Sequence, residues 1–257
     1  MTASHAREVE WHNLRAPELR RLATENAIVI VPVGSTEQHG PHLPVQVDSL
    51  LAGEVARRAA LRIAEQEPVV VAPTVWCGLA EHHMAFGATI TLDFPTFHAL
   101  IGCICSSILR HGFTRIALLN GHGGNIKALD VIAGELRQEL QASIATATYW
   151  TVTEVASAFG EILEQQRNVR HAGEAETSML LALRPALVDR KAIENAAPVT
   201  ASTARPDGLY RWRGFEELTE AGYIGAPAAA TAEKGERLLE AAAKGVAAAL
   251  LGADVWS

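Results

Sequence analysis

At 257 residues, 49% of them hydrophobic and 20% charged, the chain has the length of one large α/β domain and enough apolar material for a closed core. A formal charge of -7 excludes the clustered lysine and arginine surface on which phosphate-backbone binding depends, so no nucleic acid partner is expected. The three cysteines, Cys77, Cys103 and Cys105, form neither a paired metal spacing nor a disulfide framework, which fits a reducing compartment. The first residues, among them His5, Arg7, Glu8 and Glu10, lack the apolar stretch of a signal peptide, and no run reaches the roughly 18 apolar residues of a membrane span. A soluble, cytoplasmic protein without a membrane partner is the expectation.

Residues 27–33 are a β-branched apolar run stopped by Gly34, the pattern of a parallel strand buried on both faces. After a polar loop over 34–47, Asp48 stands where it would cap a helix over 50–64. A second strand is expected over 69–75, then an amphipathic helix over 95–111 with Pro95 in its first turn, then a third strand over 115–120 past the break at Gly112. The loop 121–125 leads to a helix over 126–140, a fourth strand over 144–149, and a helix over 174–183 that stops before Pro185. Residues 195–223, with Pro206, Gly208 and Gly214, are weakly periodic and read as a long surface excursion or an oligomer contact of unassigned role. An alanine-rich helix opened by Thr231 covers 231–251. This alternation predicts an α/β fold: a single three-layer domain over 1–257, with a mainly parallel central sheet flanked by helices. In such sheets ligands bind beyond the carboxyl ends of the strands, where the polar loops of this chain fall.

Three polar motifs occupy those loops. In the first, Gly34-Ser35-Thr36-Glu37-Gln38-His39-Gly40-Pro41-His42, glycine and proline let the backbone turn so that Glu37 and His39 project toward one point, and Asp48 can complete the cluster. Two carboxylates and an imidazole suit zinc, manganese or iron. The plainer alternatives are a helix cap for Asp48 and a local turn bond for Glu37. In the second, Asn120-Gly121-His122-Gly123-Gly124-Asn125, glycines permit close backbone approach to a ligand. A nucleotide-phosphate loop is the rival there, but Lys127 is not where such a loop needs its lysine, so His122 reads as a metal ligand. In the third, His171-Ala172-Gly173-Glu174-Ala175-Glu176-Thr177-Ser178, acidic residues in a first helical turn are favoured by the helix dipole alone.

Together with Gly222-Tyr223-Ile224-Gly225, these motifs run in order across residues 27–236 and resemble the creatininase family, the creatinine amidohydrolases and their relatives. The resemblance implies a creatininase-like metallohydrolase with two divalent ions, zinc, manganese or iron. Glu37 and His122 would hold one ion, His39 and Glu176 the other, and Asp48 would bridge them. His171 would be the catalytic acid and base, and Glu174 would hold its tautomer. His42, His83, Gly123 and Trp150 are the candidate substrate contacts, with packing the plainer role for Trp150.

Two departures bear on substrate. The creatinine-hydrolysing branch has a glutamate two places after the motif histidine, where this chain has Gly124, so Glu176 would supply that carboxylate. That branch also places a tryptophan where this chain has Arg167, which argues against creatinine itself. Around 81–89, Gly87 and Ala88 replace the family's proline and glycine. The expected activity is hydrolysis of a C–N bond in a small cyclic amide, formamide or peptide-like substrate through a metal-bridging hydroxide. The alternatives are a metal-retaining, non-catalytic small-molecule binder and a binuclear phosphoesterase. A homo-oligomer is expected, a hexamer by the resemblance.

Overall fold

Four short strands pair in parallel in the order β2-β1-β3-β4: β1 (Ile28–Val33), β2 (Val69–Val71), β3 (Arg115–Asn120) and β4 (Ser143–Thr148). They belong to a computed structural model that describes residues 8–201 and 209–256. The expectations attached to His5, Arg7, Pro206 and Gly208 lie outside the described residues.

Strand side chains alternate between two faces, and each face builds its own core. Ile28, Ile30, Val69, Val71, Ala117 and Leu119 meet α2 (Val47–Ile63), while Val29, Val31, Val70, Ile116, Leu118 and Ile144 meet α3 (Phe94–Arg110) and α4 (Ile126–Leu140). The short α1 (Ala16–Thr24) adds Leu22 and Ala23 to the second face. The first face is completed by α5 (Thr153–Ile162), α6 (Glu174–Leu183) and, beyond the single turn and a half of α7 (Arg190–Glu194), by the long α8 (Ala232–Leu251). The result is a single α/β domain of three layers. No described helix is long and apolar enough to cross a membrane.

Several elements differ from expectation for identifiable reasons. β2 ends at Val71; Ala72 N still donates to Ile30 O at 2.8 Å, and the chain then meets β1 again through an isolated bridge between Val75 and Val33. α2 begins at Val47 with Gln46 as its cap residue, so Asp48 lies inside the first turn and makes no capping bond. α3 is capped by Asp93, whose carboxylate accepts from Thr96 N at 2.9 Å. α1 and α5 were not among the expected helices; each fully buries few residues, Leu22 and Ala23 in the first, Val155 and Phe159 in the second.

The topology makes the crevice. From β1 the chain crosses by α2 on one face to β2, whereas from β3 it crosses by α4 on the other face to β4. The adjacent carboxyl ends of β1 and β3, where Val33 lies opposite Asn120, therefore send their loops to opposite sides and leave a cleft between them.

Candidate metal centre

Gly34 and Gly121 follow the paired ends of β1 and β3, and both are pressed against α2. A Cβ on Gly34 would lie 2.5 Å from Ser49 Cα, and one on Gly121 would lie 2.7 Å from the Asp48 carbonyl oxygen. Only glycine lets the first turn of α2 rest on the strand ends, and that contact lowers Asp48 into the cleft. Two asparagines brace the loops. Asn120 Oδ1 accepts from His122 N at 3.0 Å, and Asn125 Nδ2 donates to Gly34 O at 3.0 Å.

Glu37, His39, Asp48, His122 and Glu176 are all buried and all converge. His122 Nδ1 lies 3.1 Å from Glu37 Oε2 and 2.9 Å from Asp48 Oδ2. His39 Nε2 lies 3.1 Å from Asp48 Oδ1 and 3.7 Å from Glu176 Oε2. Asp48 thus turns one oxygen toward each half of the cluster. Donor atoms of Glu37, His39 and Asp48 lie within 4.8 Å of one another, as do those of His39, His171 and Glu176.

The residues fit a pair of cations on three counts. Glu37 Oε2 and Asp48 Oδ2 are buried and face only His122 Nδ1, whose ring spends its hydrogen on Leu79 O, an arrangement that is unfavourable unless a cation meets them. Each histidine spends one ring N–H on a backbone carbonyl, His39 Nδ1 on Glu37 O at 3.1 Å and His122 Nε2 on Leu79 O at 3.1 Å, which turns the other nitrogen toward the carboxylates. Their separations of about 3–3.7 Å match ligands standing roughly 2.0–2.2 Å from a shared ion.

The electrostatics agree. Burial opposes a charge on His39, yet Asp48, Glu176 and Glu37 outweigh it and push its pKa up to about 10. Burial, helped by the charges of Asp48 and Glu37, raises Glu176 to about 7. Three buried carboxylates so close together retain protons nearby when no cation compensates them, and metal binding displaces such protons.

Around this cluster His171 Nε2 donates to Gln38 O at 2.8 Å, while Nδ1 faces Glu37 Oε1 at 3.5 Å. Burial and the neighbouring His39 and His83 lower its pKa well below the usual histidine value, so it is neutral and its Nδ1 is free to accept a proton. The next residue, Ala172, adopts a left-handed φ of 50°, which directs its N–H to Glu176 Oε2 at 2.6 Å. His42 holds that turn, its Nε2 donating to Ala172 O at 3.0 Å. His42 is therefore a buried brace rather than a substrate contact.

His83 lies beside the cluster. Gln38 Oε1 accepts from Gly40 N at 2.9 Å, so its amide nitrogen donates to His83 Nδ1 at 2.9 Å, and His83 Nε2 in turn reaches Glu37 Oε1 at 3.2 Å. This chain orients the Glu37 carboxylate. Gly123 faces open space at the cleft, and a Cβ on Gly124 would overlap the Leu79 carbonyl and the His122 ring, so no side chain fits there with His122 so placed.

A further expectation is corrected, and Trp150 takes the plainer of its two roles. Glu174 does not contact His171: it is fully buried, accepts from Glu164 N and Gln165 N at 3.0 and 2.9 Å, and pairs with Lys234 Nζ of α8 at 2.8 Å. Its role is to tie α6 to α8. Trp150 packs half-buried against the core on the α2 face and edge-on to Tyr149 at 4.8 Å. The sequence reading passed over Tyr149, whose hydroxyl is buried without a partner at the end of β4, and Phe215, whose ring packs on His83 and His171. The position of Tyr149 just past a strand end was a usable signal; nothing in the weakly periodic 195–223 segment distinguished Phe215.

The family model described as creatininase, creatinine amidohydrolase, matches residues 12–250. A mycofactocin precursor peptide peptidase of Mycolicibacterium smegmatis is 32% identical over 252 residues, covering 96% of this chain and 94% of the relative. A creatinine amidohydrolase of Pseudomonas putida is 28% identical over 268 residues, covering 95% and 94%. A solved creatininase mutant described as the Zn-Zn type is 27% identical, with a TM-score of 0.76 over 95% of this chain and 97% of that one. With its three layers, its buried carboxylate and histidine cluster and a match along nearly its whole length, the chain belongs to the creatininase family of amidohydrolases.

Proposed function

We propose that this chain is a binuclear metal-dependent amidohydrolase that cleaves a C–N bond in a cyclic amide, formamide or peptide-like substrate. Glu37 and His122 would hold one divalent ion, His39 and Glu176 the other, and Asp48 would be shared between them. The observation that carries this reading is the divided Asp48 carboxylate, Oδ1 3.1 Å from His39 Nε2 and Oδ2 2.9 Å from His122 Nδ1. When bound, such a pair of ions supplies Lewis acidity and an ionised water at neutral pH.

The chain's own residues do the rest. His171, neutral and fixed through Nε2 on the Gln38 carbonyl, presents Nδ1 to accept a proton and to return it to the departing nitrogen, which is otherwise a poor leaving group. His83 keeps Glu37 oriented, and the α2 turn keeps Asp48 between the two loops. The ligand set suits zinc, manganese or iron. A phosphoesterase is disfavoured because Lys234, the buried cationic side chain among the described residues, is engaged by Glu174 and Glu164, while Arg167 and Arg170 are exposed. A cytoplasmic homo-oligomer, a hexamer, completes the reading. Exposed Trp76, Tyr210 and Trp212 offer apolar surface for such an assembly.

The test is metal analysis of protein reconstituted with zinc or manganese, paired with turnover on a panel of lactams, formamides and short peptides. Two equivalents per chain and hydrolysis of at least one panel class are expected, with both lost in Asp48→Ala. Full metal content and activity in that variant would overturn the bridging assignment, and two bound metals without turnover would favour a binder.

A further inference from the structure

We propose that Phe215 is the specificity-determining residue for the substituent on the substrate's leaving nitrogen; this rests on the amidohydrolase reading above. The segment that carries it lies outside the three motifs that bear the proposed ligands, yet it folds back over the site. Phe215 is only 5% exposed, and it begins the short turn Phe215–Glu217. Its ring centroid lies 4.4 Å from that of His83 and 4.7 Å from that of His171, edge-on to the latter, and 6.2 Å from that of Phe86.

The turn is held locally. Gly214 N donates to Glu217 Oε1 at 3.1 Å, Arg211 pairs with the same carboxylate at 3.1 Å, and the Lys127 ammonium stands 4.1 Å over the Tyr210 ring. Lys127 lies in the first turn of α4, close behind the His122 loop, so the segment is tied to the neighbourhood of the cleft through Tyr210.

Geometry then assigns the side of the substrate that meets Phe215. A departing nitrogen has to lie within hydrogen-bond reach of His171, because that imidazole supplies its proton. Whatever group the nitrogen carries must pass the Phe215 ring, which with Phe86 forms an apolar wall next to the same imidazole. The carbonyl side of the substrate faces the carboxylate cluster instead. The wall favours amides whose amine portion is apolar, and it gives ammonia-releasing amides nothing to pack on. An apolar wall of this kind discriminates by roughly tenfold or more.

The experiment uses the zinc-reconstituted protein and two chelating probes, N-hydroxyformamide and N-benzyl-N-hydroxyformamide, whose oxygens seek the metals while the nitrogen substituent marks the leaving-group side. Titration calorimetry reads affinity without turnover. The expected result is a benzyl-over-unsubstituted preference of about tenfold in the native chain, falling to about unity in Phe215→Ala and largely kept in Phe215→Leu. Equal affinities in the native chain, or a preference unchanged in Phe215→Ala, would overturn the proposal, as would an equal loss for both probes, which marks a merely structural role. Failure of both probes to bind the native chain would instead sink the metal-site reading, and this inference with it.

Discussion

His171 shows how one side chain is prepared for proton transfer by groups that do no chemistry themselves. The Gln38 carbonyl takes its Nε2 hydrogen, burial and nearby histidines keep it neutral, and the left-handed Ala172 behind it turns the backbone toward Glu176. Replacing it by glutamine removes the proton acceptor while leaving the five proposed ligands in place. His171→Gln is expected to retain two metal equivalents by elemental analysis and to lose roughly 10²–10⁴-fold in kcat, the range for removing a general acid-base group. Metal loss in that variant would instead make His171 a ligand, a role its proximity to His39 and Glu176 leaves open to test. At this scale the residue types of the cluster were legible, because carboxylates and imidazoles flanked by glycine are uncommon away from function. The fate of Glu174 was not, since its partner Lys234 lies 60 positions further along the chain.

Among the elements, α2 matters most for the site. Its first turn reaches the strand ends because Gly34 and Gly121 present no side chain to it, and this contact places Asp48 between the loops of β1 and β3. Gly121→Ala puts a methyl group 2.7 Å from the Asp48 carbonyl and 2.8 Å from Ala52 Cβ, so α2 has to withdraw. Overpacking of this kind costs about 1–3 kcal/mol, and the variant is expected to show a lower Tm together with reduced metal occupancy. A variant that lost stability but bound both metals normally would separate the helix contact from the site. Element types followed from hydrophobic period, most surely in β1, β3 and α6, whose apolar runs end next to glycine or proline. β2 was overextended because Val75 resembles a strand residue, and it does pair with Val33, but as an isolated bridge beyond the end of the strand. The cap assigned to Asp48 was displaced because a buried carboxylate in this chain faces histidines rather than its own helix backbone.

For the molecule as a whole, the proposed ligands come from the β1 loop, α2, the β3 loop and α6, so cations bound there would fasten together parts of the chain from residue 37 to residue 176. Ligands that bind only the folded state stabilise it by about 4 kcal/mol at a thousandfold excess over Kd, which for a chain of this size corresponds to roughly 10 °C in Tm. Removing metal with a chelator is expected to lower the Tm by that order, readding zinc or manganese to restore it, and Asp48→Ala to show neither response. An unchanged Tm on chelation would count against a bound pair. The sequence by itself determined the α/β class and the strand-loop-helix rhythm and marked Glu37, His39, Asp48 and His122 as candidate ligands, because hydrophobic period and residue chemistry are local properties; Glu176 entered only through the family resemblance. Only the tertiary structure decided that Glu174 serves the α6–α8 contact, that His42 braces a turn, that His83 orients Glu37 and that Phe215 covers His171, because each depends on which distant segments the two opposed crossovers bring to one end of the sheet.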